Sequence, residues 1–270
     1  MNDIFNPKRF CAYLRYDLIR NQQSFGLAIL ILGLIPVIIY LLCGIFCTIL
    51  DLGWIAPNEI VRWIIYCLTT MIFIFIYPSK VYGFITERRA GANFLMLPVS
   101  ITEKYLSILL HALVIAPLAY MILYFGSDGI LCIIDPNCGT PLWRFGCINA
   151  YRNLMTNLNA MTATSLQNIN PIFNIIMNTV NNMLIFVLGA LWFSKHKIGK
   201  TILSLIVINI ALSLLTTPLM LGQMTKQYGD FSGTFDALLE TYYVIASIGA
   251  ILLAIILAIL IFLRLKTIKH

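Results

Sequence analysis

A chain of 270 residues that is 60% hydrophobic and 11% charged, with a mean hydropathy of +0.89, is not an ordinary soluble domain, since those carry roughly 25% charged residues. Its 18 basic and 11 acidic side chains leave a net charge of +7, and in so apolar a chain that excess points to orientation in a bilayer rather than to nucleic acid. Seven cysteines without a CxxC pair, and three scattered histidines, exclude the common zinc spacings.

The first 24 residues are polar and basic and lack the early apolar run of a signal peptide. Phe10, Tyr13, Leu14 and Leu18 lie near one helical face, with Lys8, Arg9 and Arg15 elsewhere. This spacing predicts an N-terminal amphipathic helix at the headgroup level, its basic residues near anionic membrane lipids. Asp17 intrudes on the apolar side.

Crossing the hydrocarbon core takes about 20 apolar residues in a helix. Six stretches qualify, about 25–50, 60–82, 105–126, 171–193, 201–221 and 241–263. Asn58 offers a cap for the second, and Asn170-Pro171 marks the start of the fourth. Fourteen basic residues fall on one side of this arrangement: Lys8, Arg9, Arg15, Arg20, Lys80, Arg88, Arg89, Lys104, Lys195, Lys197, Lys200, Arg264, Lys266 and Lys269. Only Arg62, Arg144, Arg152 and Lys226 fall on the other, which predicts cytoplasmic N- and C-termini. The expected fold is thus an all-α membrane protein, a single domain of six transmembrane helices over 1–270.

Between the second and third stretches stands ITERRAGANFLMLPVSITEKY, residues 85–105. From Thr86 a helical pattern brings Ala90, Phe94 and Leu97 to one face, and Pro98 stops it. Ser100 and Glu103 have capping-box spacing and restart a helix into the third stretch. A short helix, a stop and a capped restart suit either a surface helix on lipid or a docking element for a soluble partner.

The segment 127–170 is the longest expected on the outer side. It should hold short interfacial or re-entrant helices, because structureless loops of this length are uncommon. Cys138 and Cys147 could form a bridge there, or the three cysteines including Cys132 could stay free; Cys43, Cys47 and Cys67 read as packing residues.

Within the spans, His111 reads as a hydrogen-bonded packing residue. Asn174, Asn178, Asn181 and Asn182 form a polar stripe on the fourth stretch, serving a helix interface or a polar path. Pro36, Pro117 and Pro218 predict kinks. Mid-span carboxylates are missing, which weighs against an ion-coupled carrier, while a membrane partner or scaffold protein is a further alternative. No GxSxG, HExxH or GxxxxGK[ST] motif occurs, so the chain reads as neither an enzyme nor an ATPase. Any energy for transport would come from a gradient or a separate subunit.

The run FLMLPVSITEKYLSILL after a charged ERR resembles the first cytoplasmic loop of ABC-2 type transporter permeases, whose Bacteroidota-type branch carries an LPxS-x-x-EK(Y/F)-like pattern. The opening NDIFNPKRFCAYLRYDLIRNQQ is similar to their basic N-terminal segment. The resemblance implies a multi-pass permease subunit of an exporter in a bacterial cytoplasmic membrane, paired with a second permease copy or sibling. A separate ABC ATPase would hydrolyse ATP with Mg, so this chain would bind no cofactor itself. The loop would then hold a coupling helix, with Thr86, Glu87, Arg88, Arg89, Asn93 and Phe94 as docking residues. By the same resemblance, the N-terminal helix could brace the separate ATPase subunit. The chain departs from the family in placing more outer sequence in 127–170 than in 222–240.

Overall fold

The computed structural model describes residues 5–51, 53–87, 91, 92, 94, 96–144, 171–226 and 231–267, with backbone alone for 171–175, 211–213, 215–226 and 231–246. Among the described residues every regular element is helical and none is a strand. The chain divides into two compact units, Met1–Val81 with Met96–Leu154, and Tyr82–Leu95 with Met155–His270.

The first unit opens with α1, Pro7–Asn21, where Pro7 takes the first helical position and the Asn6 side chain accepts from the Lys8 N–H at 3.1 Å. A π-helical turn at Gln22–Gly26 leads directly into α2, Leu27–Gly33. The N-terminal helix therefore runs on into the first apolar run as one helix, because no stop residue separates the two. The path then bends by 43° at Leu34 into α3, Ile35–Ile49. Pro36 is the cause: it lacks an N–H, and its ring would collide with the Leu32 carbonyl of a continuous helix. Val37 donates to Leu34 instead of Gly33, and the Ser127 hydroxyl fills the Gly33 carbonyl at 2.8 Å.

Next comes α4, Glu59–Val81, whose first turn closes on the Asn58 carbonyl through the Arg62 N–H at 3.1 Å. The chain returns as α5, Ile101–Leu110, a π-helical turn at His111–Ile115, and α6, Ala116–Ile134. In this turn the Ala116 N–H reaches back to the His111 carbonyl, which widens the helix just before Pro117 and relieves its ring. Together these residues make a 34-residue apolar helix, about 51 Å long against a hydrocarbon core of about 30 Å. The sequence reading ended this helix near residue 126; it continues through the Gly129–Ile134 stretch assigned to the outer segment. Aromatic stacking fills the centre of the unit, with Phe73 on Tyr120 at 5.0 Å and on Tyr77 at 5.1 Å.

The second unit contains a 3₁₀ turn at Gly83–Thr86, α7 (Pro171–Trp192), α8 (Lys197–Lys226) and α9 (Phe231–Thr267). Pro171 is the first described residue of α7. His196, at φ 49°, turns the chain from α7 to α8. Gly189 lets the two helices close, since a Cβ there would meet the Thr201 side chain at 2.1 Å.

Glu59–Val81, Ile101–Ile134 and Ser247–Thr267 are long and apolar enough to cross a membrane. The bent pair Pro7–Gly33 and Ile35–Ile49 makes a fourth if counted as one span, and Ile176–Trp192 is a shorter apolar helix. The chain is an all-α membrane protein.

Candidate functional site

The loop singled out in the sequence takes its shape from side chains at both ends. After the Gly83–Thr86 turn, Glu87 is extended, at φ −89° and ψ 138°. Its carbonyl accepts from the Gly91 N–H at 2.8 Å, and Gly91 and Ala92 are helical. The Thr86 hydroxyl lies 2.9 Å from the Gly83 carbonyl and 3.4 Å from that of Phe193. Lys197, the first residue of α8, donates to the Gly83 carbonyl and stands 3.6 Å from the Glu87 carboxylate. Its side chain fills the room a Cβ at Gly83 would need. Gly83 and Lys197 thus tie the turn to the α7–α8 connection within the second unit.

Glu87 is 61% exposed along its side chain and Met96 is 80% exposed. Phe94 is 5% exposed, and its ring meets Phe84 edge-on at 6.0 Å. This corrects the expectation that Phe94 presents itself to a partner: a phenyl ring with an internal pocket gains more from burial than from water. Arg88, Arg89 and Asn93 lie outside the described residues.

The capping box forms as its spacing predicts, with Ser100 Oγ accepting from the Glu103 N–H at 3.3 Å and Glu103 Oε2 accepting from the Ser100 N–H at 3.1 Å. Glu103 also fixes α1. Its carboxylate accepts from the Asn6 N–H at 2.9 Å and from Arg9 Nε and Nη2, both at 2.8 Å. These donors satisfy both oxygens of a carboxylate that is itself fully buried. Glu103 stands in the first turn of α5, ahead of the apolar stretch that starts near residue 105.

Further along, Ser107 donates to Asp17 at 2.9 Å. Arg9, Tyr13, Asp17 and Asn21 recur every fourth residue on α1, and Glu103, Ser107 and His111 do so on α5 and the turn after it. Asp17 is therefore no intrusion. It belongs to the face that packs, and the two period-four polar stripes were the signal in the sequence that could have paired these helices.

At the other end of the unit, the Arg62 guanidinium is buried. Nη1 donates to Asp128 at 2.8 Å, and Nη2 to the carbonyls of Cys138 and Thr140, both at 2.9 Å. Asp128 also accepts from the Leu142 N–H at 2.9 Å. Cys132 is joined to Cys138. Neither alternative left open by the sequence, a Cys138–Cys147 bridge or free thiols throughout, describes this pair, because α6 runs on to Ile134 and brings Cys132 close to Cys138; Cys147 lies outside the described residues. Asp135, just beyond α6, receives the Tyr40 hydroxyl, the Asn137 N–H and Trp54 Nε1, and these hold its carboxyl below the ordinary range.

The asparagine stripe is split in its use. Asn181 is buried and donates to the Ala250 carbonyl of α9 at 3.1 Å, which is the interhelical role. Asn178 is exposed and accepts from Asn182 at 3.4 Å, and the Asn174 side chain lies outside the described residues. Arg264, near the end of α9, donates to the Leu191 carbonyl at 3.2 Å and lies over the Trp192 ring at 5.1 Å. His111 is hydrogen-bonded to the Tyr77 hydroxyl, as a packing residue would be.

Within the second unit Lys197 holds the first turn of the loop, and within the first unit the Arg9–Glu103 pair holds the start of α5. Comparison with protein-family models, curated proteins and solved structures finds no match.

Proposed function

We propose that the chain is the permease subunit of an ABC-2 type exporter, multi-pass in a bacterial cytoplasmic membrane with both termini inside. Six spans, on α2–α3, α4, α5–α6, α7, α8 and α9, would pair with those of a second permease copy or sibling. Two copies of a separate ABC ATPase would supply hydrolysis of ATP. The substrate would be amphipathic, lipid-like or peptidic.

The observation that carries this reading is the bracing of the loop between α4 and α5. A connection that only reverses the chain needs no capping box locked by Arg9 and no lysine drawn to Gly83. Bracing of this kind leaves little slack, so force applied at the loop reaches α4 and α5. The resemblance of LPVSITEKY to the coupling segment of these permeases adds the partner. Of the docking residues, Glu87 is the exposed one with described geometry, beside Thr86 and the Arg88, Arg89 and Asn93 positions. Phe94 shapes the loop from within.

The test is purification of the tagged full chain from its native membrane, followed by assay of bound ATPase. Glu87→Lys should weaken retention of that ATPase while leaving membrane insertion intact. Retention unchanged by Glu87→Lys and by Met96→Ala together would remove the loop from the docking role.

A further inference from the structure

Two helices of the first unit lose regular winding at one level, and a third lacks one ladder hydrogen bond there because proline has no N–H. α1 passes into α2 through the π-helical turn at Gln22–Gly26, α5 into α6 through that at His111–Ile115, and α4 carries Pro78. Interrupted ladders of these kinds are the identifiable sites of helix bending. Side chains bring the three interruptions together. Phe25, in the first π turn, meets the Tyr77 ring edge-on at 5.5 Å. Tyr77, next to Pro78, stacks on His111, the first residue of the second π turn, at 5.9 Å, and its hydroxyl is bonded to His111 Nδ1. Tyr77 is 0% exposed, and Phe25 and His111 are each 5% exposed, so the cluster is dry.

The helices are pinned on either side of this level. Before it, Arg9–Glu103 and Asp17–Ser107 join α1 to α5. Beyond it, Ser127 bonds to Gly33, and Gly33 lies so close to Leu123 that a Cβ would come within 2.5 Å, which joins α2 to α6. Two pinned blocks are thus separated by a layer in which the backbone ladder is already irregular.

We propose that this layer is a hinge: α1 and α5 move as one piece relative to α2 and α6, with Tyr77 of α4 as the shared bearing. Deformation concentrates there because a π turn can shift or close by exchanging one hydrogen bond, whereas each pinned block would have to break several. Because α1 and α5 are pinned to each other, neither π turn rewinds alone. The inference goes beyond the transport reading, since it holds whatever drives the movement.

Hydrogen–deuterium exchange on the full chain in lipid nanodiscs tests it. In the unaltered protein, amides of 22–26 and 111–115 should exchange faster than those of 13–20, 103–109 and 118–126. Tyr77→Phe keeps the ring but removes the hydroxyl, and it should accelerate both π turns together by roughly fivefold. Phe25→Leu, which leaves Tyr77 and His111 in place, should accelerate 111–115 as well as 22–26. Equal protection of π turns and flanks in the unaltered chain overturns the hinge. So does acceleration by Tyr77→Phe at 111–115 alone. Should Tyr77→Phe fail to purify, an unchanged 111–115 in Phe25→Leu overturns it by itself.

Discussion

Replacing Glu103 by Gln changes one atom and should loosen the whole start of α5. The four groups that Glu103 accepts from are all donors: the Asn6 N–H, two N–H groups of Arg9, and the Ser100 N–H. Two of them address each carboxylate oxygen. Whichever oxygen becomes the amide nitrogen, two donors are left facing a third. Glu103 is 0% exposed and the Arg9 side chain 32% exposed. Each orphaned buried donor costs about 1–3 kcal/mol, and water reaching Arg9 returns part of its share, so the loss should total about 3 kcal/mol. Arg9→Met should cost less, about 1–2 kcal/mol, because Glu103 keeps two backbone donors. Thermal unfolding in detergent, followed by tryptophan fluorescence, measures both, and the double variant gives the coupling, expected above about 1 kcal/mol. A gap between the unaltered chain and Glu103→Gln under about 0.5 kcal/mol at neutral pH, within the range of ordinary surface substitutions, would refute this account of the α1–α5 contact.

Arg62→Met should cost about 3–5 kcal/mol, since it strands the buried Asp128 carboxylate; loss equal to that of a surface variant in the same unfolding assay contradicts the buried pair. Gly33→Ala and Gly189→Ala should each lower stability by about 1–3 kcal/mol through overpacking, as their Cβ atoms would meet Leu123 and Thr201 at 2.5 and 2.1 Å. Lys197→Met releases the Gly83 carbonyl and Glu87, and limited proteolysis should then cut within 87–97 faster than in the unaltered chain. Alkylation without reductant should leave Cys132 and Cys138 unmodified, and modification of both would remove the bridge.

The apolar helices and the restart at Ser100 were legible because each rests on local chemistry. Twenty apolar residues in a row, or a serine three residues before a glutamate, mean the same thing in most surroundings. The continuation of α6 to Ile134 was not legible, since Asp128 and Gly129 look like a helix end until Arg62 supplies the charge and Trp143 closes against the glycine. Asp17 was misread for a related reason. Its partner, Ser107, is 90 residues away, and no local pattern announces it. Phe94 shows the limit at the site itself: an apolar residue in a charged loop suits an interface or an internal pocket equally, and only the Phe84 ring decides between them.

The central claim, that this chain works with a separate ATPase through the loop between α4 and α5, is tested most directly by one measurement. The tagged full chain is isolated from its native membrane, reconstituted in nanodiscs, and assayed for ATP hydrolysis alongside a Glu87→Lys, Met96→Ala double variant. The account predicts that a phosphate-loop ATPase accompanies the unaltered chain and hydrolyses ATP, and that the double variant retains several-fold less of it. Isolation of the intact chain with no ATPase and no hydrolysis would contradict it.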